Sequence, residues 1–304
     1  MSTNELRDVP APAKINLFLH VVGQRSDGYH LLQTVFRFID LNDTLHFRRR
    51  DDGLIRRVSG FTGVSEEECL TVRAARLLQE ATGCRYGVDI ELEKRIPAGG
   101  GLGGGSSDAA TVLLALNRLW QTGLSRDKLM QLGVRLGADV PVFVFGRNAF
   151  AEGIGERLRP VKLRPRWYVI IQPDAHVSTA EVFSQPDLTR NTEPVKMALF
   201  TDDEGYAKTF GCNDLQAVVC RRYDQVALVE QVAQRIAANA KAPLARMSGS
   251  GACFFIECTS RQQAAFVQLE ISATIRHSTV AAKAIRSVHT CQGLDQHPLQ
   301  QWAE

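Results

Sequence analysis

Apolar and polar positions recur along the chain with two periods, and these assign most of its elements. Residues 15–22, Ile-Asn-Leu-Phe-Leu-His-Val-Val, are apolar on one face and mixed on the other, which predicts a strand. Residues 31–48 predict one or two more strands, with a turn at Leu41-Asn42-Asp43. From Glu68 to Ala81, the residues Leu70, Ala74, Leu77, Leu78 and Ala81 fall on one helical stripe, and Gly83 suits its stop. Val88, Ile90 and Leu92 alternate with charged residues in a strand that ends near Pro97. Ala109, Val112, Leu113, Leu116 and Leu119 predict a helix to about Trp120, and Ser125 is placed to cap another over 125–136. The apolar runs 141–145 and 167–172 have strand length. Asn213 is placed to cap one long amphipathic helix over 213–238, followed by a strand at 253–258 and a helix at 261–271.

Strands and helices mix here without the regular alternation of a doubly wound sheet, so the class is α+β. No period of 20–50 residues repeats. The polar stretch 155–166 holds two prolines and marks the expected boundary between a domain at 1–160 and a second at 161–304.

Composition narrows the function classes. A chain of 304 residues, 44% hydrophobic and 23% charged, is ordinary for a globular protein. A net charge of +3 gives no general attraction to nucleic acid or to an anionic membrane. The run Arg48-Arg49-Arg50-Asp51-Asp52, with Arg56 and Arg57, reads as the solvated tip of a strand pair. Seven scattered cysteines without a CxxC pair fit a reducing compartment and argue against a disulfide framework or a zinc site. The start MSTNELRDVP is polar, and no apolar run approaches 18 residues. The expectation is a cytoplasmic protein with neither membrane nor nucleic-acid partner and no metal held by the protein itself.

One stretch departs from this ordinary picture. Six of the seven residues from Gly99 to Gly105 are glycine, between a strand and a strong helix. Such a loop lets backbone N–H groups approach a ligand closely, and the helix start adds unpaired N–H groups and partial positive charge. Together they form an anion site, most often for phosphate. Ser106 and Ser107 are placed to cap the helix or to touch a phosphate or its magnesium. Gly99, Gly101 and Gly104 satisfy GxGxxG, but the dinucleotide reading needs a following strand with an acid. The segment QTGLSRDKLMQLGVRL reads as a helix instead. No Gly-Lys-Ser/Thr follows, so the loop is not a P-loop.

PAGGGLGGGSSDAA resembles the phosphate loop of the GHMP kinases, which phosphorylate small molecules such as homoserine, mevalonate and galactose. PAPAKINLFL at 10–19 and Met247-Ser248-Gly249-Ser250-Gly251-Ala252 resemble two further motifs of that family, in the right order. VVGQRSDGYHLLQTVF at 21–36, LGADVPVFVFG at 136–146 and AEGIGE at 151–156 resemble the member whose substrate is a methylerythritol unit carrying a cytidine diphosphate. The resemblance implies a two-domain fold, with ATP and this small-molecule substrate in the cleft between domains. It implies transfer of a phosphoryl group from ATP to the 2-hydroxyl, with Mg2+ carried mainly by the ATP phosphates. The ATP-binding segment would be Pro97, Ala98, Gly99, Gly100, Gly101, Leu102, Gly103, Gly104, Gly105, Ser106 and Ser107.

The same resemblance makes Asp139 the catalytic base and places Lys14 beside it, stabilising charge on the attacking oxygen. Tyr29 and Phe183 would stack on the cytosine and His30 would hydrogen bond to it, with Asn16 and Thr179 as polar contacts to the remainder. Gly249, Ser250 and Gly251 would close against the phosphate site, and Lys94 either reaches adenosine or phosphates or is an exposed strand terminus. Many relatives carry Asp-Asn-Leu where this chain has Glu68-Cys69-Leu70, and cysteine lacks the paired donor and acceptor of an amide. A kinase for homoserine or mevalonate, and a silent nucleotide-binding module, share the loop. Asp-Gly-Tyr-His and Phe183 favour the cytidine substrate, and Lys14 with Asp139 favours catalysis. A monomer or weak homodimer is expected.

Overall fold

A computed structural model describes residues 4–59, 65–195 and 212–303. Its first sheet contains β1 (Glu5–Gln24), β2 (His30–Arg50), β3 (Ile55–Ser59), β4 (Gly87–Glu93), β5 (Ala149–Glu152) and β6 (Arg157–Pro160). The order is β3-β4-β2-β5-β6, with β1 also on β2, and all pairings are antiparallel except β3 with β4. β2 runs unbroken through the turn expected at 41–43. There β1 pairs Pro12 with Asn42, and β4 begins pairing at Thr44 with Glu93. The buried Asp43 carboxylate, which would otherwise favour a turn, accepts the N–H groups of Arg95 (2.6 Å) and Ile96 (2.8 Å) instead. Pro10 and Pro12 are tolerated in β1 because it is an edge strand.

Four helices pack on this sheet: α1 (Leu70–Thr82), α2 (Gly104–Leu119), α3 (Arg126–Val134) and α4 (Val140–Phe145). Their apolar faces share a core with Phe38, Phe47 and Phe143. The strand expected at 141–145 is α4. Pro141 fits the first turn of a helix and Gly146 ends it at φ 76°, while burial of Val140 to Val144 removes any amphipathic signature. Ser125 caps α3 as expected, accepting from the Lys128 N–H.

The second sheet, in the order β10-β7-β9-β8, is antiparallel and contains β7 (Trp167–Pro173), β8 (Arg246–Met247), β9 (Phe254–Cys258) and β10 (Ile285–Gln292). Around it lie α5 (Thr179–Phe183), α6 (Gln216–Arg222), α7 (Asp224–Asn239), α8 (Arg261–His277) and α9 (Thr279–Ala284). The single helix expected over 213–238 is the pair α6 and α7, broken where Tyr223 adopts an extended conformation (φ −126°, ψ 97°). No proline or glycine marks the break.

A third apolar core joins the sheets, with Ile15, Leu17 and Leu102 packed against Tyr168, Ile170 and Phe255. This explains why residues 11–21 are buried on both faces rather than one. The chain end departs from the expected division at 160. Residues 293–303 return to the first sheet: the Leu294 N–H bonds to the Phe38 carbonyl (2.8 Å), and Leu299 and Ala303 enter the first core. No helix among the described residues is long and apolar enough to cross a membrane. All seven cysteines are free.

Candidate active site

The two glycine loops lock together. Gly99, Gly101 and Gly103 have φ of 66°, 72° and 71°, a region side chains disfavour. A Cβ on Gly101 would lie 2.0 Å from the Ser248 carbonyl oxygen. The N–H groups of Ala252 and Cys253 bond to the carbonyls of Gly99 (3.3 Å) and Gly100 (3.2 Å). The buried Ser248 hydroxyl donates to Gly101 O (2.9 Å) and accepts the Asn16 N–H (3.2 Å), joining both loops to β1. Gly103 occupies the N-cap of α2, and the first intrahelical bond runs from Ser107 N–H to Gly103 O (2.8 Å). The amides of Gly104, Gly105 and Ser106 thus precede the helical ladder. Ser107 does not cap the helix and turns away from the loop, donating to Pro12 O at 2.7 Å.

These amides lie in a cleft of about 620 Å³ lined by Pro97 to Ser106, Glu68, Cys69, Lys94, Asp108 and Asp139. A second chamber of about 830 Å³ is lined by Lys14, Asn16, Tyr29, His30, Phe183 and Arg190, among others. Gly101, Ser106, Asp139, Thr179 and Ser250 line both, so the chambers meet there. Both sizes suit ligand sites.

At this junction Lys14 Nζ lies 3.2 Å from Asp139 Oδ2. Lys14 is 2% exposed and donates to Asn16 Oδ1 (2.6 Å) and Gly101 O (3.1 Å). Asp139 stands at the N-cap of α4 without a capping bond, and its carboxylate is 36% exposed. A fixed ammonium therefore holds one face of a carboxylate whose other face is open. Asn16 Nδ2 donates to Thr34 Oγ1 (2.9 Å), and the hydroxyls of Thr179 and Ser250 meet at 2.7 Å. At the far end of the second chamber the rings of His30 and Phe183 lie 4.9 Å apart, and Tyr29 is 60% exposed. Arg190 bonds to His30 from behind (3.0 Å), a contact no sequence signal announced.

The profile of the family "GHMP kinases N terminal domain" matches residues 70–147. The chain is 56% identical to the 4-diphosphocytidyl-2-C-methyl-D-erythritol kinase of Bordetella bronchiseptica, over 98% of each chain. It is 54% identical to the enzyme of that name from Ralstonia nicotianae, again over 98% of each. It belongs to the 4-diphosphocytidyl-2-C-methyl-D-erythritol kinase family. A crystal structure of 4-(cytidine 5'-diphospho)-2C-methyl-D-erythritol kinase superposes with a TM-score of 0.73 at 34% identity, covering 95% of this chain and 98% of that one. The homoserine kinase of Cytophaga hutchinsonii shares the fold alone, at 16% identity and a TM-score of 0.71 over 98% and 96% of the two chains. The chain is accordingly a small-molecule kinase of the GHMP type.

In this kinase Lys94 is held between two buried carboxylates, bonding to Asp43 and to Asp108 Oδ2 (2.8 Å). Burial opposes the Lys94 ammonium, but Asp108 and Asp43 outweigh it and raise the pKa. Burial pushes Asp108 up to about 7 against the pull of Lys94, and Asp43 adds to the rise. Asp108 in the folded state therefore keeps a proton between about pH 4 and 7 that the unfolded chain has lost. Its contribution to stability is full below about 4 and is lost as pH rises through 7. Asp108→Asn is expected to flatten that decline, its melting temperature gaining a few degrees on the wild type between pH 5.5 and 8.5. Parallel melting curves across that range would exclude this role. Cys69 begins α1 without a capping bond and contacts the Thr71 hydroxyl through Sγ (3.0 Å).

Proposed function

We propose that this kinase transfers the γ-phosphoryl group of ATP to the 2-hydroxyl of 4-diphosphocytidyl-2-C-methyl-D-erythritol where the two chambers meet, a step of the non-mevalonate route to isoprenoid precursors. One observation carries the reading: the Lys14–Asp139 pair lies at the junction of a glycine-loop cleft and a chamber ending in aromatic rings. ATP occupies the first chamber, its phosphates against the amides of Gly104, Gly105 and Ser106. The cytosine lies in the second between Tyr29 and Phe183, with His30 at its edge and Thr179 toward the diphosphate. The hydroxyl oxygen forms a bond to the γ-phosphorus as the bond to the β–γ bridging oxygen breaks. Its proton passes to Asp139, and ADP leaves with the bridging oxygen. Lys14 stabilises charge on the attacking oxygen. The hydroxyl of Ser106, which lines both chambers, fits a Mg2+ ion carried mainly by the ATP phosphates, which would neutralise phosphate charge. The enzyme acts in the cytoplasm as a monomer or weak homodimer, its first domain spanning 1–160 and its second 161–292, with 293–303 docked on the first.

Release of ADP on adding the cytidylyl substrate to enzyme and ATP tests the reading. Tyr29→Ala is expected to raise KM for that substrate roughly tenfold or more, from loss of a stacking face, while KM for ATP stays within about twofold. An unchanged KM for the cytidylyl substrate would remove the base from this chamber.

A further inference from the structure

Arg190 lies outside the reacting centre, yet its guanidinium ties together two residues that line the second chamber, His30 and Phe183. One terminal nitrogen donates to Leu188 O (3.0 Å), and the other to Phe183 O (3.1 Å) and Gln185 O (2.7 Å). The remaining nitrogen, Nε, donates to His30 Nε2 at 3.0 Å. A guanidinium carries hydrogens on every nitrogen and accepts none. His30 Nε2 must therefore present its lone pair, and the hydrogen of the neutral ring must sit on Nδ1. Burial and the neighbouring Arg190 cation both lower the His30 pKa, so the ring stays neutral at physiological pH. Among the described residues none hydrogen bonds to Nδ1.

We propose that Arg190 makes the second chamber selective for cytosine over uracil by fixing His30 as the Nδ1–H tautomer. This rests on the reading that a pyrimidine base docks beside His30 and deepens it. Cytosine offers an acceptor at N3, which an Nδ1–H donor satisfies. Uracil carries a hydrogen there, so two donors face each other and neither finds a partner, a penalty of the kind that separates substrates strongly. Without Arg190 the ring is free to move its hydrogen to Nε2, and Nδ1 becomes an acceptor that suits uracil. Arg190 is thus a positioning residue for base choice. The same guanidinium holds the carbonyl of Phe183, so ring position and tautomer are set together.

The test compares kcat/KM for the cytidylyl substrate and its uridylyl counterpart in the wild type, Arg190→Met and Arg190→Lys. In Arg190→Met the preference for cytidine is expected to fall roughly tenfold or more, with Lys restoring part of it through its one ammonium nitrogen. Long-range nitrogen-15 spectra of the wild type, assigned by the signals lost in His30→Asn, are expected to show hydrogen on Nδ1 and a bare Nε2. Equal losses on both substrates in Arg190→Met would reduce Arg190 to a structural clamp and overturn the proposal. Hydrogen on Nε2 in the wild type would overturn it too, even if the variants fail to fold. A wild type inactive on both substrates but active on another alcohol would defeat the cytidine reading, whereas the spectra judge the tautomer regardless.

Discussion

The Asp139→Asn variant is expected to fold as the wild type does and to turn over roughly 10³-fold more slowly. Asp139 makes no capping bond to α4 and pairs with Lys14 at 3.2 Å, so the amide removes little that holds the fold. It removes the acceptor for the hydroxyl proton while keeping shape and volume. ATP affinity by calorimetry should stay within a few-fold, because the proposed phosphate grip is that of the amides of 104–106. ADP release at a rate near that of the wild type, from a folded variant, would take Asp139 out of the chemistry.

Lys14→Met should cost kcat about 10²–10³-fold and, unlike the first variant, stability as well. The methionine keeps the stem, but Asn16 Oδ1 loses a donor in a buried setting, at about 1–3 kcal/mol, while Gly101 O keeps the Ser248 hydroxyl. Lys14→Arg should not rescue the loss, because Lys14 is almost fully buried and a planar guanidinium is larger than the ammonium it would replace. A double variant lacking both charges should be about as slow as the slower single one, since two groups serving one proton transfer do not contribute additively. Full additivity in rate would mean that the two residues act at separate steps.

Much of this site was legible because its chemistry is concentrated in backbone. A run of glycines between a strand and a helix has few other uses, and Gly99 to Gly105 do form a cradle whose positive φ values and close approach exclude side chains. Where tertiary packing decided the outcome, the pattern misled. Val140 to Phe145 is apolar throughout, so periodicity cannot tell helix from strand, and Pro141 at its start was the overlooked signal. The turn residues at 41–43 lost to ladders on both sides of β2, and Tyr223 breaks a helix that its own sequence would continue. Arg190, and the bracing bond of Ser248 within its motif, were out of reach for another reason. Their importance lies in partners 160 and 147 positions away, at His30 and Gly101, which a local pattern does not encode.

The seam between the glycine loops has a consequence for how this enzyme is assembled. Gly101 contributes to the floor under Lys14, Ser248 buttresses it, and each segment comes from a different half of the chain. Neither half, made separately, would own a finished nucleotide cradle, so competence to use ATP arises only once both have folded and met. A nascent chain still lacking its final sixty residues would therefore lack the segment that braces the first glycine loop.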